Sequence, residues 1–446
     1  MTIGEETSRG LFHPAGRFYR YGILVIVSLL TFGSYFAYDS IGAIAPILTQ
    51  ALGIDRETIG QTYTLYSIAA ILSVFIGGLL IDKIGTRRAS MLFSVLVTIG
   101  AAIVAFAPNV MVLFLGRFIF GWGSESLVVA QSAIFTRWFK GKELAFAFGV
   151  GLTISRLGTL FSFNTEALIS EYFGTYQSAL WAAVFFCVLS LCANFVYVMM
   201  DKHGQKILNL HEEGGGDKIV FADIKKFKAS YWYVTLLCLT FYSAIFPFTA
   251  LSTDFFHTKW GLPLTAGSEG GFLTQVFYNV IHMFSTAGGT TTIIIFASMV
   301  LAPFFGQWVD KFGRRASVMV LGSLFMIPAF LTMAFTMLAP AIPMLILGAA
   351  FVMVPAAMWP SIPLIVEKNR VGTAFGLTTT IQNFGLALFP WLNGMLRDAT
   401  QTYTASMVMF SALGVLGLIF SVLLLRADHR EGKKLESIDL SSASGS

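Results

Sequence analysis

The sequence predicts an all-α membrane protein, with twelve transmembrane helices in two pseudo-symmetric six-helix bundles. Three observations predict it. Hydrophobic residues make up 56% of the 446-residue chain and charged residues only 12%, against about 25% charged in a soluble globular protein. The apolar residues gather in twelve runs, at 20–50, 57–81, 89–107, 110–136, 144–169, 177–200, 230–254, 285–309, 316–338, 342–366, 371–396 and 402–426. Each is near or above the roughly 20 residues that a helix needs to cross a bilayer. Finally, a charged turn occurs twice, as GGLLIDKIGTRRAS (77–90) and GQWVDKFGRRAS (306–317). Asp310 follows Asp82 by 228 residues, and Arg314 and Arg315 follow Arg87 and Arg88 by 227. A repeat of this kind between apolar stretches marks a chain built from two related bundles.

The elements follow in order. The first apolar run is too long for a cleavable signal peptide and lacks a small-residue cleavage pattern, so none is expected. Residues 1–200 form the expected N-terminal bundle. The segment 201–229 changes composition sharply, with HEEGGGDK (211–218) and then ADIKKFK (222–228). It reads as a flexible cytoplasmic linker ending in a short basic amphipathic stretch at the membrane surface. Residues 230–426 form the expected C-terminal bundle, and the polar, Ser-rich 427–446 an expected disordered tail. The Gly/Thr-rich 257–291 reads as an external loop plus an extended start of span eight.

Loop charge sets the expected orientation. Of the Lys and Arg residues, 24 fall on the side of the two termini and only Arg56, Lys259 and Arg397 on the other; Arg117 and Arg156 lie within spans. That asymmetry places both termini in the cytoplasm. It also explains the net charge of +5 through contact with anionic membrane lipids, so no nucleic-acid partner is implied. Cys187, Cys192 and Cys238 all lie in apolar runs and read as small hydrophobes. The six His show no ligand spacing. No metal, no cofactor and no Walker loop is found, and no nucleophile–base set points to an enzyme.

Ionisable side chains inside a bilayer are costly, so each invites a functional reading. Glu125 lies 12 residues before Arg137, and Arg156 lies 13 residues after Glu143. Both therefore sit roughly 18–20 Å from the cytoplasmic face. The tight FKGKE turn (139–143) makes spans four and five antiparallel neighbours, so an acid and a base share one depth near the midplane. A buried ion pair locking the two spans is one reading. The other is a split site in which Glu125 takes an ammonium and Arg156 a carboxylate. Asp39 closes FGSYFAYD (32–39) and shares a helix face with Tyr35; a cavity wall and a helix interface are both open readings. Arg117 is expected to meet Asp39 or a neighbouring carbonyl, and Glu166 to be wet near the outer face. Tyr242 in FYSAIFPF (241–248) and Trp359 in MWP (358–360) sit beside prolines suited to a bend. Asn383 matches Arg156 at the 227-residue offset shared by Gly158 and Gly385, so the basic site lies in one half only. Asp82, Arg87, Arg88, Asp310, Arg314 and Arg315 read as a cytoplasmic gate that holds one conformation closed.

The repeated turn and the twelve runs resemble the major facilitator superfamily over the whole chain. A closer resemblance rests on FGSYFAYD (32–39), GRFIFGWGSESLVVAQ (116–131), WFKGKEL (138–144), ISRLG (154–158), FPF (246–248), MWP (358–360), GTAFG (372–376) and IQNFGLAL (381–388). These are similar to the major facilitator domain-containing protein 1 family, lysosomal dipeptide uniporters of animals. The resemblance implies a major facilitator fold, passive dipeptide transport by alternating access, and substrate contacts at Glu125, Arg156 and Trp359. A monomer is expected. No N-terminal lysosomal sorting region is evident, which sets the expectation of a bacterial inner membrane. The competing expectation is a proton-coupled carrier of organic anions or amino acids with Asp39 or Glu125 titrating; a non-transporting membrane sensor would need a soluble signalling domain.

Overall fold

The computed structural model describes residues 13–14, 16–139, 143–208, 221–267, 269–367 and 370–437. Among these residues every regular element is helical. In lipid no water takes up backbone polar groups, so a long apolar run satisfies them within its own helix. The order is α1 (Arg17–Leu29), α2 (Phe32–Ala43), α3 (Ala45–Leu52), α4 (Arg56–Ile84), α5 (Thr86–Phe106), α6 (Val110–Phe139), α7 (Leu144–Phe173) and α8 (Tyr176–Leu208). There follow α9 (Ala229–Trp260), α10 (Phe272–Ile281), α11 (Ala287–Phe312), α12 (Arg315–Phe335), α13 (Ala341–Ile365), α14 (Val371–Thr400) and α15 (Thr404–Glu431).

The twelve expected runs do not all pass a test of length and apolarity. Among the described residues nine spans do, the first of them α1 and α2 taken together, or ten when the bent α4 counts as a single span. Two further long helices, α11 and α14, occupy the places of expected spans eight and eleven. In α14 the threonines 378–380, Gln382, Asn383, Asn393 and Arg397 dilute the apolar character. The first expected span is three helices, α1, α2 and α3, with Pro46 in the first turn of α3.

Two further expectations change. The disordered tail was expected from 427, yet α15 runs to Glu431. Residues 432–437 then fold back: Asp428 accepts the backbone N–H groups of Leu435 at 2.9 Å and Glu436 at 3.3 Å. The remainder of the tail, and 209–220 of the linker, lie outside the described residues. The linker's basic stretch appears as a 3₁₀ turn over Phe221–Lys226. The 257–291 segment contains its own helix, α10, followed by a 3₁₀ turn at Met283–Ser285.

The contacts divide the chain into two units, 1–40, 68–162 and 173–216 in one, 41–67, 163–172 and 217–446 in the other. In the first unit, α7 lies against α2 at Gly158, where an added Cβ would strike the carbonyl oxygen of Phe32. Within the second, α14 lies against α9 at Gly385, where a Cβ would strike the Ser243 hydroxyl. Gly158 and Gly385 are the pair matched at the 227-residue offset. Small residues that let helix backbones approach are the usual seam of membrane bundles.

Candidate functional site

In the first unit Tyr35, Asp39, Arg156 and Glu125 come together. The FGSYFAYD stretch is helical, as α2, so Tyr35 and Asp39 stand one turn apart on one face. From α7 the Arg156 guanidinium stands over the Tyr35 ring, 5.7 Å from its centroid. Tyr35 feels the charges of Arg156, Glu125 and Asp39. Asp39 has Thr159, Arg156 and Arg117 as polar neighbours and is only 6% exposed. Tyr35, Glu125 and Arg156 are half-buried. The acid and the base expected at one depth on α6 and α7 thus gather around one tyrosine, and each keeps accessible surface.

Arg117 does what its position suggested. It is 1% exposed, its Nη1 donates to the carbonyls of Ala37 at 3.3 Å and Tyr38 at 3.4 Å, and its guanidinium stacks over the Tyr38 and Phe120 rings. It holds the α2 backbone on which Asp39 is mounted. Glu166 departs from expectation: it is completely buried rather than wet. The cause is local, since the neighbouring Asn164 is bonded to α10 and α11. Asn279 Nδ2 donates to the Asn164 carbonyl, and Asn164 Nδ2 donates to Thr292 Oγ1 at 3.3 Å.

In the second unit, Trp359 Nε1 donates to the Tyr242 hydroxyl at 2.9 Å. Trp359 stacks on Phe375, with centroids 5.9 Å apart, and Tyr242 on Phe246 at 5.6 Å. Asn383 is buried and gives its amide to the carbonyl of Thr379 in its own helix at 3.0 Å. The prolines do not interrupt these helices. Both α9, with Pro247, and α13, with Pro355, Pro360 and Pro363, are continuous.

At the basic-loop face, Arg87 pairs with Asp201 of α8 at 3.4 Å. Asp201 also takes Arg137 and the Trp138 Nε1–H, the latter at 2.8 Å. Asp82, Arg88 and Arg314 are exposed, and Arg315 is buried with its backbone N–H on the Leu435 carbonyl at 2.9 Å. The side chain of Asp310 lies outside the described residues.

Sequence reasoning missed a clasp within the second unit. Arg56, at the start of α4, forks onto Asp254 near the end of α9, with Nη2 to Oδ1 at 3.2 Å and Nε to Oδ2 at 3.3 Å. The Tyr403 hydroxyl donates to the same carboxylate at 2.5 Å, and Arg397 lies over the Tyr403 ring. Beside them Trp391 Nε1 donates to Glu57 Oε1 at 2.8 Å, and the Glu57 N–H donates to Asp398 Oδ2 at 2.7 Å. A signal was present. Arg56, Lys259 and Arg397 were the three basic residues on the side that disfavours them, and all three are engaged; Lys259 donates to the carbonyls of Met333 and Ala334.

Apolar spans, an internal repeat and a cluster of charges among them define a membrane transporter. The chain belongs to the Major Facilitator Superfamily, which residues 27–280 and 270–443 match. It is 31% identical to the lysosomal dipeptide transporter MFSD1 of Danio rerio, covering 97% of this chain and 92% of that protein. The Homo sapiens protein of the same name is also 31% identical, over 95% of this chain and 90% of its own length. Among solved structures, the nucleoside transporter NupG superimposes with a TM-score of 0.67, covering 90% of this chain and 99% of NupG, at 15% identity. At that identity the likeness speaks for the fold.

Proposed function

We propose that this transporter is a passive carrier of dipeptides, with both termini cytoplasmic. The observation that carries the reading is the grouping of Glu125, Arg156 and Asp39 around Tyr35 inside an otherwise apolar bundle. A zwitterion needs an anionic partner for its ammonium and a cationic partner for its carboxylate. In a dipeptide these poles lie about 6 Å apart, roughly two residues of extended chain. Glu125 takes the ammonium and Arg156 the carboxylate, through its planar fork. Asp39 balances Arg156 when the site is empty. Within the second unit, Trp359, bonded to Tyr242, offers an aromatic ring to a substrate side chain. The relatives named as dipeptide transporters support the same substrate class.

The test is thermal-shift titration with a dipeptide panel on Glu125→Gln and Arg156→Ala. Both variants are expected to stay folded and lose the dipeptide-dependent rise in melting temperature. An unchanged rise in both assigns the cluster to structure alone. A second reading, proton-coupled transport, draws on the burial of two intramembrane carboxylates, Asp39 and Glu166. Liposome uptake with and without a pH gradient separates the two, since a passive carrier equilibrates dipeptide to the same level in both.

A further inference from the structure

The helix α10 has a face that the transport site does not use. From Glu269 to Asp310 the sequence contains no Asp, Glu, Lys or Arg between those two residues. Yet α10 lies at the surface, in the segment joining α9 to α11, on the side away from the basic loops. One flank holds it to the protein. Asn279 is 3% exposed; its Oδ1 accepts the Ala266 N–H at 2.7 Å and its Nδ2 donates to the Asn164 carbonyl. The Phe272 ring lies 5.2 Å from that of Tyr172 at the end of α7.

The other flank is apolar and bare. Leu273, Phe277 and Ile281 are 80%, 69% and 59% exposed, and their spacing of four puts them in one row along a helix about 15 Å long. Left in water, such a row would be unfavourable at about 25 cal/mol per Å² of apolar surface. We propose that α10 is an interfacial helix whose Leu273–Phe277–Ile281 row is embedded in the lipid leaflet opposite the basic loops. Two observations favour lipid as the occupant. The row continues through Phe284 to Phe296 on α11, ring centroids 5.8 Å apart, and Phe296 is itself exposed on a helix at the place of a membrane span. At the rim of the row, Tyr278 and His282 stack at 4.0 Å, a pair of rings with polar atoms of the sort that settles at headgroup level. A lipid-seated α10 also anchors the end of α7, through Asn164 and Tyr172.

The experiment is nitroxide accessibility in phosphatidylcholine nanodiscs, in a Cys192→Ser background because Cys192 is exposed while Cys187 and Cys238 are buried. Labels go on Leu273→Cys, Phe277→Cys and Ile281→Cys, with the exposed Glu269→Cys as the aqueous reference. All four positions are at the surface, so folding is not at stake. The three row positions are expected to show an oxygen-to-nickel-chelate collision ratio about fivefold or more above that at 269. A ratio equal to the reference places the row in water and overturns the proposal. Low access to both reagents, with spin–spin broadening, overturns it in favour of a second copy of the chain.

Discussion

Arg56 and Asp254 form a two-point ion pair between helices that stand 198 residues apart in sequence, with the Arg56 side chain 29% and the Asp254 side chain 2% exposed. Tyr403 gives the same carboxylate a third donor. Charge-assisted hydrogen bonds of this kind contribute about 1.5–3 kcal/mol. Residues acting as one unit couple rather than add. Arg56→Gln and Asp254→Asn are each expected to lower the melting temperature in detergent, and the double variant to melt no lower than the worse single. Strict additivity would show that the pair carries no joint energy.

Arg156→Lys retains the charge but loses the planar fork and the stacking over Tyr35. Dipeptide affinity is expected to fall about tenfold, a change of about 1.4 kcal/mol, with the fold intact. Isothermal titration reads it, and an affinity equal to that of the parent protein would mean that Arg156 serves only as a point charge.

Trp359 offers a separation of ring from hydrogen bond. Trp359→Phe keeps an aromatic ring against Phe375 but drops the bond to Tyr242; its cost to stability is expected near 1 kcal/mol, that of one hydrogen bond. Trp359→Ala removes the ring and is expected to lose most dipeptide-dependent stabilisation. Equal titration curves for the two variants would take substrate contact away from the ring.

Gly158 and Gly385 hold equivalent close seams. An alanine at either is expected to cost about 1–3 kcal/mol by overpacking, because the new Cβ meets the Phe32 carbonyl in one case and the Ser243 hydroxyl in the other. The Gly158 site is expected to be the worse, since a backbone carbonyl yields less than a serine rotamer. Comparative melting curves decide the order.

Asp55 stands before α4 and caps it, accepting the Thr58 N–H at 2.8 Å and the Thr58 hydroxyl at 2.6 Å. The Thr58 hydroxyl holds its carboxyl below the usual carboxylate range, against a smaller opposing effect of partial burial. A folded pKa below the unfolded value means stability that is present above the unfolded pKa, about 3.9, and is lost as pH falls through the folded one. Asp55→Ala is therefore expected to melt a few degrees lower at neutral pH, with the gap closing as acid protonates the parent's cap. A gap unchanged between pH 7 and pH 3 contradicts this.

The parts legible in the sequence are those the bilayer dictates. The long apolar helices and the transporter class follow from how costly charge and open backbone are in lipid. Pairs that depend on tertiary packing were not legible. Nothing local joins Arg56 to Asp254, or Asn164 to Asn279. Pro247 read as a breaker, yet α9 continues through it, and its own carbonyl accepts from Asn393 of α14 at 2.9 Å. Glu166 read as wet because its depth was visible and the α10 hairpin bonded to its neighbour was not.

The glycine seams carry a mechanical consequence. Where α7 meets α2, Gly158 brings main chain against the Phe32 carbonyl with no rotamer between to absorb a displacement; where α14 meets α9, Gly385 faces the side chains of Ser243 and Leu239. The first joint resists sliding and transmits a push as a stiff strut would, while the second has rotamers that give. The grips of Arg56 on Asp254 and of Trp391 on Glu57 are made instead by long side chains with rotamers to spare.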